Sequence, residues 1–433
     1  MITILQFGEG NFLRAFFDWM VQRINEATGA KNKIFLVQPI PQGRVKEILK
    51  SKGRYHVLLR GYVNGEYREI IDRVEVIRDG VNPFEDYKKL IEAGRIPELK
   101  VVVSNTTEAG IFYKKLEKAE SFPSMLTEIL YERFKLGLPP LYILPLELIE
   151  DNGKKLKECV IKHATDWAYP QAFFFYLEEC KFYNTLVDRI VPGFPQDVAE
   201  EVFRKIGERD QNLTSGEIFH LFVIQGDPSI LEILPFNKAG LNVILTDNLK
   251  FYRERKVRVL NGAHTSMVPV GLINGIEYVR DFVEHPTFGK WLRELVHEEI
   301  VPALSESEDT HKYAEEVLER FRNPALKHSL RTIALNSISK VNTRIRPTLE
   351  DYYFKFGKLP QRLTEAIAHM IELYSCNGVK DLPGGPFELS DFKELKGLDK
   401  ESIIESFFPN LNDKLKREVL SAVEEIHKAW RKG

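Results

Sequence analysis

Cysteine is scarce in this chain: Cys159, Cys180 and Cys376 are the only three among 433 residues. An odd, widely spaced set supplies neither a disulfide framework nor a thiolate metal site, and no metal is expected. Charge of one sign is missing as well, since 61 basic and 63 acidic side chains leave a formal net charge of -2. That balance offers no electrostatic footprint for nucleic acid or an anionic membrane, so neither is expected as a partner. No apolar run approaches the roughly 20 residues that span a bilayer. Met1 leads straight into a strand pattern with none of the features of a signal peptide, which makes the cytoplasm the expected location. There is no internal repeat and no low-complexity tract. What the chain does have is material for a core, being 43% hydrophobic and 11% aromatic. At this length that suffices for two or three domains.

Ile2 to Phe7 is a short β-prone run that stops at Gly8. Phe12, Phe16, Trp19, Met20 and Ile24 then recur at helical spacing, and Ile34 to Gln38 reads as a second strand closed by Pro39 and Pro41. Strand, glycine turn, helix and strand form a βαβ unit with a right-handed crossover. Tyr55 to Tyr62, Asn64-Gly65 and Tyr67 to Ile77 predict a hairpin, as an antiparallel edge or an inserted piece. Alternation resumes with helices over Tyr87 to Ala93, Met125 to Lys135 and Lys154 to Trp167, and strands over Lys100 to Val103 and Leu141 to Leu146. From about Tyr252 onward strand signals fade and amphipathic helices follow, including Thr287 to Ile300, Asp309 to Arg322 and Pro360 to Tyr374. The predicted fold is therefore α/β plus all-α. Its parts are a doubly wound sheet with an inserted hairpin over residues 1–247 and a helical domain over 248–433.

Between the first strand and first helix stands Gly8-Glu9-Gly10-Asn11-Phe12-Leu13. Gly8 suits the tight turn and Gly10 the close approach of a pyrophosphate, with Asn11 and Phe12 following. Leu13 replaces the third glycine of the usual fingerprint, and an ordinary strand-to-helix turn would use the same residues. The acid expected at the end of the second strand is also absent, with Gln38 in its place. An amide can bond a ribose hydroxyl but does not repel a 2′-phosphate, and Arg44 and Lys46 nearby could attract one. NAD and NADP both stay open on these residues. Ser104, Asn105, Thr106, Thr107 and Glu108 follow a buried parallel strand, where polar residues line a cofactor crevice or cap the next turn.

Lys256, Asn261 and His264 fall on one broad face of an α-helix, at about 0°, 140° and 80°. A lysine desolvated beside other cations can exchange a proton near neutral pH. An amide can donate to an oxygen that turns negative in the transition state, and a histidine can polarise the same oxygen. That set suits metal-free carbonyl reduction. The crowding of Arg253, Arg255 and Arg258 equally suits a basic solvated helix, and His264 a core histidine. Asp188-Arg189 puts a charged pair in a strand-like segment, and Glu147 to Gly153 follows a strand end. Arg331, Lys340, Arg344 and Arg346, around Asn336 and Ser339, form a cationic series that could receive a carboxylate or simply pair with surface acids.

The spacing of Lys256, Asn261 and His264 resembles the signature of the polyol-specific long-chain dehydrogenases, the family of mannitol dehydrogenases and hexuronate reductases. Gly8, Gly10, Phe12, Arg14 and Ala15 match its first-strand motif, and Val187 to Ile190 match its Val-Asp-Arg-Ile segment. The similarity runs over nearly the whole chain. Val102 to Ile111, Pro145 to Gly153, Asn184 to Gly193, Lys238 to Asp247, Lys256 to Pro269 and Ala334 to Lys340 look most like the hexuronate reductases. The resemblance implies an NAD-dependent, metal-independent oxidoreductase that interconverts D-tagaturonate and D-altronate. Fructuronate or another polyol or hexuronate is the alternative substrate, and a non-catalytic dinucleotide sensor the alternative role. It implies Lys256 as general acid/base, Asn261 at the oxyanion, His264 on the reacting oxygen, Asp188 as an active-site acid and Lys340 on the substrate. Three departures point to a different substrate end. Arg253 stands where mannitol enzymes carry a glutamate, Leu146-Glu147-Leu148 where they carry Cys-Asp-Asn, and Thr332 where a second arginine follows Arg331. Arg253, Arg331 and Lys340 are thus the expected carboxylate contacts.

Overall fold

The computed structural model describes residues 2–106, 109–374, 391–395 and 397–431. The chain divides into two compact units, Met1–Leu249 and Lys250–Gly433. In the first unit the strands are β1 (Ile2–Phe7), β2 (Lys33–Val37), β3 (Tyr55–Val63), β4 (Glu66–Val74), β5 (Ile77–Val81) and β6 (Val101–Ser104). They continue with β7 (Tyr142–Pro145), β8 (Lys181–Phe182), β9 (Asn184–Asp188), β10 (Thr214–Glu217), β11 (Leu221–Gln225) and β12 (Val243–Leu245).

Six of these strands form a parallel sheet in the order β5-β2-β1-β6-β7-β8. Counted in chain order within that sheet, this is the 3-2-1-4-5-6 arrangement of a doubly wound fold. The order reverses between β1 and β6, so the loops after those two strands flank the crevice where such sheets bind ligands. Both sheet faces are covered, which is why the strands are apolar without alternation. Ile4 and Val103 enter a core with Phe16, Met20, Phe222 and Phe236, while Leu5, Phe7 and Val102 enter another with Leu126, Ile129 and Val160.

Three local expectations need correction. The helix expected from Phe12 to Ile24 is two pieces, Asn11–Ala15 and Phe17–Thr28, broken at Phe16 (φ −124°, ψ −78°). The carbonyls of Arg14 and Ala15 accept instead from the Tyr55 hydroxyl (3.0 Å) and Arg189 Nη1 (2.6 Å), and side chains inserted into the ladder bend a helix. The hairpin is the inserted piece and not an edge of the main sheet, because β3 and β4 pair with β10 in a three-stranded sheet of their own. Its turn is Asn64-Gly65 with φ of 54° and 80°, the left-handed pair that matches strand twist. The run Tyr67 to Ile77 is also not one strand. β4 stops at Val74, and Ile77 starts β5 beside β2 in the main sheet. A third small sheet, β12-β11-β9, ends the unit.

The second unit is helical throughout its described residues. Helix Ala263–Ile273 packs on Gln361–Tyr374, which packs on Asp413–Trp430. Among the described residues, three stretches wind as π-helix: Lys256–Gly262, Leu295–Ile300 and Val341–Ile345. The expected α-helix from Thr287 to Ile300 is therefore α only over Pro286–Glu294. Cys159 and Cys180 are buried, unbridged thiols, and Cys376 lies outside the described residues. No described helix is long and apolar enough to cross a membrane.

Candidate active site

The crevice of the first unit is built on Gly8. Its φ is +117°, and a Cβ there would lie 2.9 Å from both the Asn105 carbonyl and Leu13 Cδ1. Glycine is required on both counts. The Gly8 amide donates to Val37 O and the Asn105 amide to Phe7 O, each at 3.0 Å, which ties together the ends of β1, β2 and β6. Leu13, in the third-glycine position, is buried against that turn. Gly10 is exposed, with nothing within 4 Å of where a Cβ would be. The side chains of Asn11 and Phe12 face protein. Asn11 Oδ1 accepts from Arg14 (2.5 Å) and Thr214 (3.3 Å), and Phe12 stacks on Phe16 at 4.9 Å.

Gln38, also buried, turns its amide nitrogen back onto its own loop, donating to Ile40 O (3.0 Å) and Pro41 O (2.8 Å). Glu9, between the two glycines, reaches the same loop and accepts from the Arg44 amide at 3.1 Å. Burial raises the Glu9 carboxyl above its usual range, against the lowering by that amide and by Arg14 and Arg44. On the other side of Gly8, the buried Glu147 carboxylate accepts from Ser104 Oγ (3.0 Å), Thr106 N (2.9 Å) and Thr106 Oγ1 (2.8 Å). It therefore shapes the loop after β6, a role its sequence context left open, whereas its neighbour Leu148 is exposed. Glu108 lies outside the described residues. A cavity of about 1140 Å³ opens over these loops, walled by Ile40, Pro41, Phe84, Thr106, Gly110 and Phe112 among others. The cavity opens beyond the carboxyl ends of β2, β5 and β6, the side on which doubly wound sheets bind their ligands. Asp188 closes β9 in the same unit, buried and opposite Leu221. Arg189 is also buried, bonded to the carbonyls of Ala15, Glu217, Ile218 and Phe219 and laid over Trp19 at 4.3 Å. Burial pulls it down to about 9.

In the second unit, Lys256 and Asn261 belong to the π-helical stretch rather than an α-helix. Bonding from i to i+5 puts residues five apart about one turn from each other, so this pair aligns more closely than α geometry predicts. His264 follows on the α-helix and is buried. Its ring lies 4.2 Å from Phe321 and 4.7 Å, edge to face, from His328. Burial and the neighbouring Lys340 both lower the His328 pKa. Lys340 donates to Ile333 O at 2.7 Å, and burial and Arg344 lower its pKa while Asp391 raises it. Gly262 lets the π stretch Val341–Ile345 approach, since a Cβ there would be 3.1 Å from Arg344 O. Arg344 in turn bonds Thr265 Oγ1 at 3.5 Å, and Thr265 donates to Asn261 O at 2.8 Å. Lys256, Asn261, His264, Lys340 and Arg344 thus form one polar neighbourhood. His328 belongs to it too, and nothing in the sequence pattern marked it.

The basic solvated helix is not what forms. Arg255 is buried, paired with Asp309 and laid over Tyr313 at 4.3 Å. Arg258 is buried too, bonded to Asp351 at 2.6 Å and Thr348 at 3.0 Å. Arg253, part-buried, sits one turn before Lys256. Arg331 is part-buried on the short helix Leu330–Ile333, which packs on Ala263–Ile273. Arg346 is engaged with Glu350 and the carbonyls of Pro409 and Asn410, which sets it apart from the site. Among the described residues, no group of three or more histidine, cysteine or acidic side chains is placed to hold a metal ion.

Residues 2–235 match the model of the mannitol dehydrogenase Rossmann domain, and residues 248–429 that of the mannitol dehydrogenase C-terminal domain. The chain is 40% identical to an altronate oxidoreductase of Bacillus subtilis (strain 168) over 402 residues, 90% of this chain and 83% of that protein. It is 39% identical to an altronate oxidoreductase of Bacteroides thetaiotaomicron over 409 residues, 92% of this chain and 85% of that one. Among solved structures it resembles a D-sorbitol dehydrogenase in substrate-free form (TM-score 0.84, 22% identity, 98% of this chain and 93% of that chain). It also resembles a Pseudomonas fluorescens mannitol 2-dehydrogenase in ternary complex with NAD and D-mannitol (TM-score 0.73, 18% identity, 99% and 92%). At those identities the structural likeness speaks to the fold alone.

Proposed function

The chain belongs to the mannitol dehydrogenase family, and from that premise we propose that it interconverts D-tagaturonate and D-altronate with a nicotinamide dinucleotide, Lys256 serving as general acid/base. It is a dehydrogenase acting on a hexonate. The observation that carries the substrate assignment is the 40% identity to an altronate oxidoreductase across 90% of the chain. Within the protein, Lys256, Asn261 and His264 on one π-to-α helix, with Lys340 and Arg344 beside them, support the same reading.

The dinucleotide, when bound, supplies or takes up the hydride at the sugar carbon. Gly8, Gly10, Ser104, Asn105 and Thr106 would hold it, with Glu147 fixing the loop that carries the last three. In reduction, Lys256 gives its proton to the ketone oxygen, and in oxidation it takes the proton from the alcohol. Asn261 donates its amide to that oxygen as it becomes negative, and His264, held by Phe321 and His328, contacts the same atom. Asp188, in the Val-Asp-Arg-Ile segment, is proposed as a further active-site acid. The cations Arg253, Arg331 and Lys340 would receive the sugar-acid carboxylate.

Dinucleotide oxidation measured separately with tagaturonate, fructuronate and fructose tests the assignment. Tagaturonate should give the highest kcat/KM, and a higher value with fructuronate or fructose would replace it. Lys256→Ala should lower kcat by about 10²- to 10⁴-fold with dinucleotide affinity nearly unchanged. Loss of dinucleotide binding in that variant would remove Lys256 from the proton-transfer role.

A further inference from the structure

The geometry points to Glu9 as the residue that selects NAD over NADP, an inference that rests on the dinucleotide-binding reading above. Doubly wound domains usually place an acid at the end of the second strand, where it bonds the ribose and repels a 2′-phosphate. Here that position is Gln38, whose amide is turned onto Ile40 and Pro41. The missing carboxylate arrives from the glycine turn instead. Glu9 is only 8% exposed, and its Oε1 accepts from the Arg44 amide at 3.1 Å. A Cβ at Gly43 would lie 2.2 Å from Glu9 Oε1 and 2.5 Å from Gln38 Cδ. The acid of Glu9 and the amide of Gln38 therefore share one small space at the end of β2, and Gly43 has no side chain because they fill it.

The cations that could have favoured a 2′-phosphate are directed elsewhere. The Arg44 guanidinium donates to Gln211 O (3.3 Å) and Asn212 Oδ1 (3.2 Å), and Lys46 pairs with Glu85 at 2.7 Å. The Glu9 carboxyl stays at the end of β2 with little water around it, its charge offset in part by Arg14 and Arg44. A phosphate brought there meets a like charge in poor solvent, whereas ribose hydroxyls can donate to it.

Equilibrium titration of the full chain with NADH and NADPH, followed by nicotinamide fluorescence or calorimetry, tests this without turnover. Wild type should bind NADH about tenfold or more tighter than NADPH. Glu9→Gln, which keeps an oxygen for the Arg44 amide, should narrow that ratio about tenfold by gaining NADPH affinity. Glu9→Asp keeps the charge and should keep the preference. The assignment is overturned by a wild type that binds both equally, by a Glu9→Gln protein with the ratio intact, or by a Glu9→Asp protein that loses it as Gln does. The wild-type ratio and the Asp variant decide the matter if Glu9→Gln does not fold. A wild type that binds neither dinucleotide would instead remove the functional reading, and the inference with it.

Discussion

Buried charges at single positions organise the crevice. Glu147 is a carboxylate with 2% exposure whose two oxygens receive one backbone amide and two hydroxyls from the last residue of β6 and the loop after it. Burial raises its pKa, and those bonds from Thr106 and Ser104 work against the rise. Removing the acceptor leaves three donors to be resolvated, at about 1–3 kcal/mol for each one left buried. Glu147→Ala should therefore lower stability in urea and weaken NADH binding, raising KM for the dinucleotide more than it lowers kcat. Glu147→Gln retains one oxygen for Thr106 and can donate to Ser104 Oγ, so it should restore most of both. Equal loss in Ala and Gln would mean the carboxylate charge, not the acceptor geometry, shapes the loop. At this scale the sequence was readable where chemistry is local. Gly8 was marked by its place between strand and helix, and its φ of +117° accounts for it. Glu9 and His328 were not, because each acts on groups far away in the chain, and Glu147 was marked only by its place after a strand, since its partners lie on another loop.

Elements were legible wherever their pattern was self-contained. The βαβ start, the Asn64-Gly65 hairpin and the long amphipathic helices all follow from periodicity and turn chemistry. The helix break at Phe16 was not legible, since the side chains that take the carbonyls of Arg14 and Ala15 come from 41 and 174 residues further on. Nor was the π winding over Lys256–Gly262, because nothing in a sequence period separates i→i+4 from i→i+5 bonding over seven residues. Two glycines separate local strain from packing. A side chain at Gly65 would meet nothing within 4 Å but would sit at φ +80°, whereas at Gly153 it would lie 2.2 Å from Tyr183 O. Gly65→Ala should cost about 1–2 kcal/mol from the left-handed backbone alone. Gly153→Ala must push the helix Asn152–Asp166 off β8 and β9, and should cost about 3 kcal/mol or more. Urea denaturation of the two variants checks the order, and a Gly153→Ala protein as stable as Gly65→Ala would refute it.

Across the first unit, the main sheet and the hairpin sheet are joined by a buried polar network under the first helix. Asp18 Oδ2 and the Tyr55 hydroxyl of β3 are hydrogen-bonded at 3.0 Å, and Arg14 lies over the Tyr55 ring at 5.4 Å. Next to Tyr55, His56 and Asp210 are joined at 3.0 Å. Burial lifts Asp18 from 3.8 to about 7. Between those values the folded chain keeps a proton that the unfolded chain releases, so folding binds protons and stability falls as pH rises. The contribution is complete below about pH 4 and lost as pH passes about 7. Asp18→Asn cannot titrate, so the variant's stability should gain on wild type as pH rises from about 4 to about 7. Parallel unfolding curves at the two ends of that range, with a constant gap between the proteins, would show that Asp18 is not held protonated.

The amino-acid order alone determined the class of the protein: a doubly wound α/β part, a helical part, a glycine turn between first strand and first helix, and a Lys-Asn-His spacing. Those features rest on periodicity, turn chemistry and residues within one helix, all of which are local in the chain. Only the tertiary structure decided which charges are structural and which remain for chemistry. Arg255 and Arg258 were absorbed into the packing by Asp309 and Asp351, and Arg189 by four carbonyls. Lys340 was drawn toward His328, Arg344 onto Thr265, and Glu9 to the end of β2. A charge's surroundings are assembled from segments remote in sequence, and its solvation follows from that assembly rather than from its neighbours along the chain.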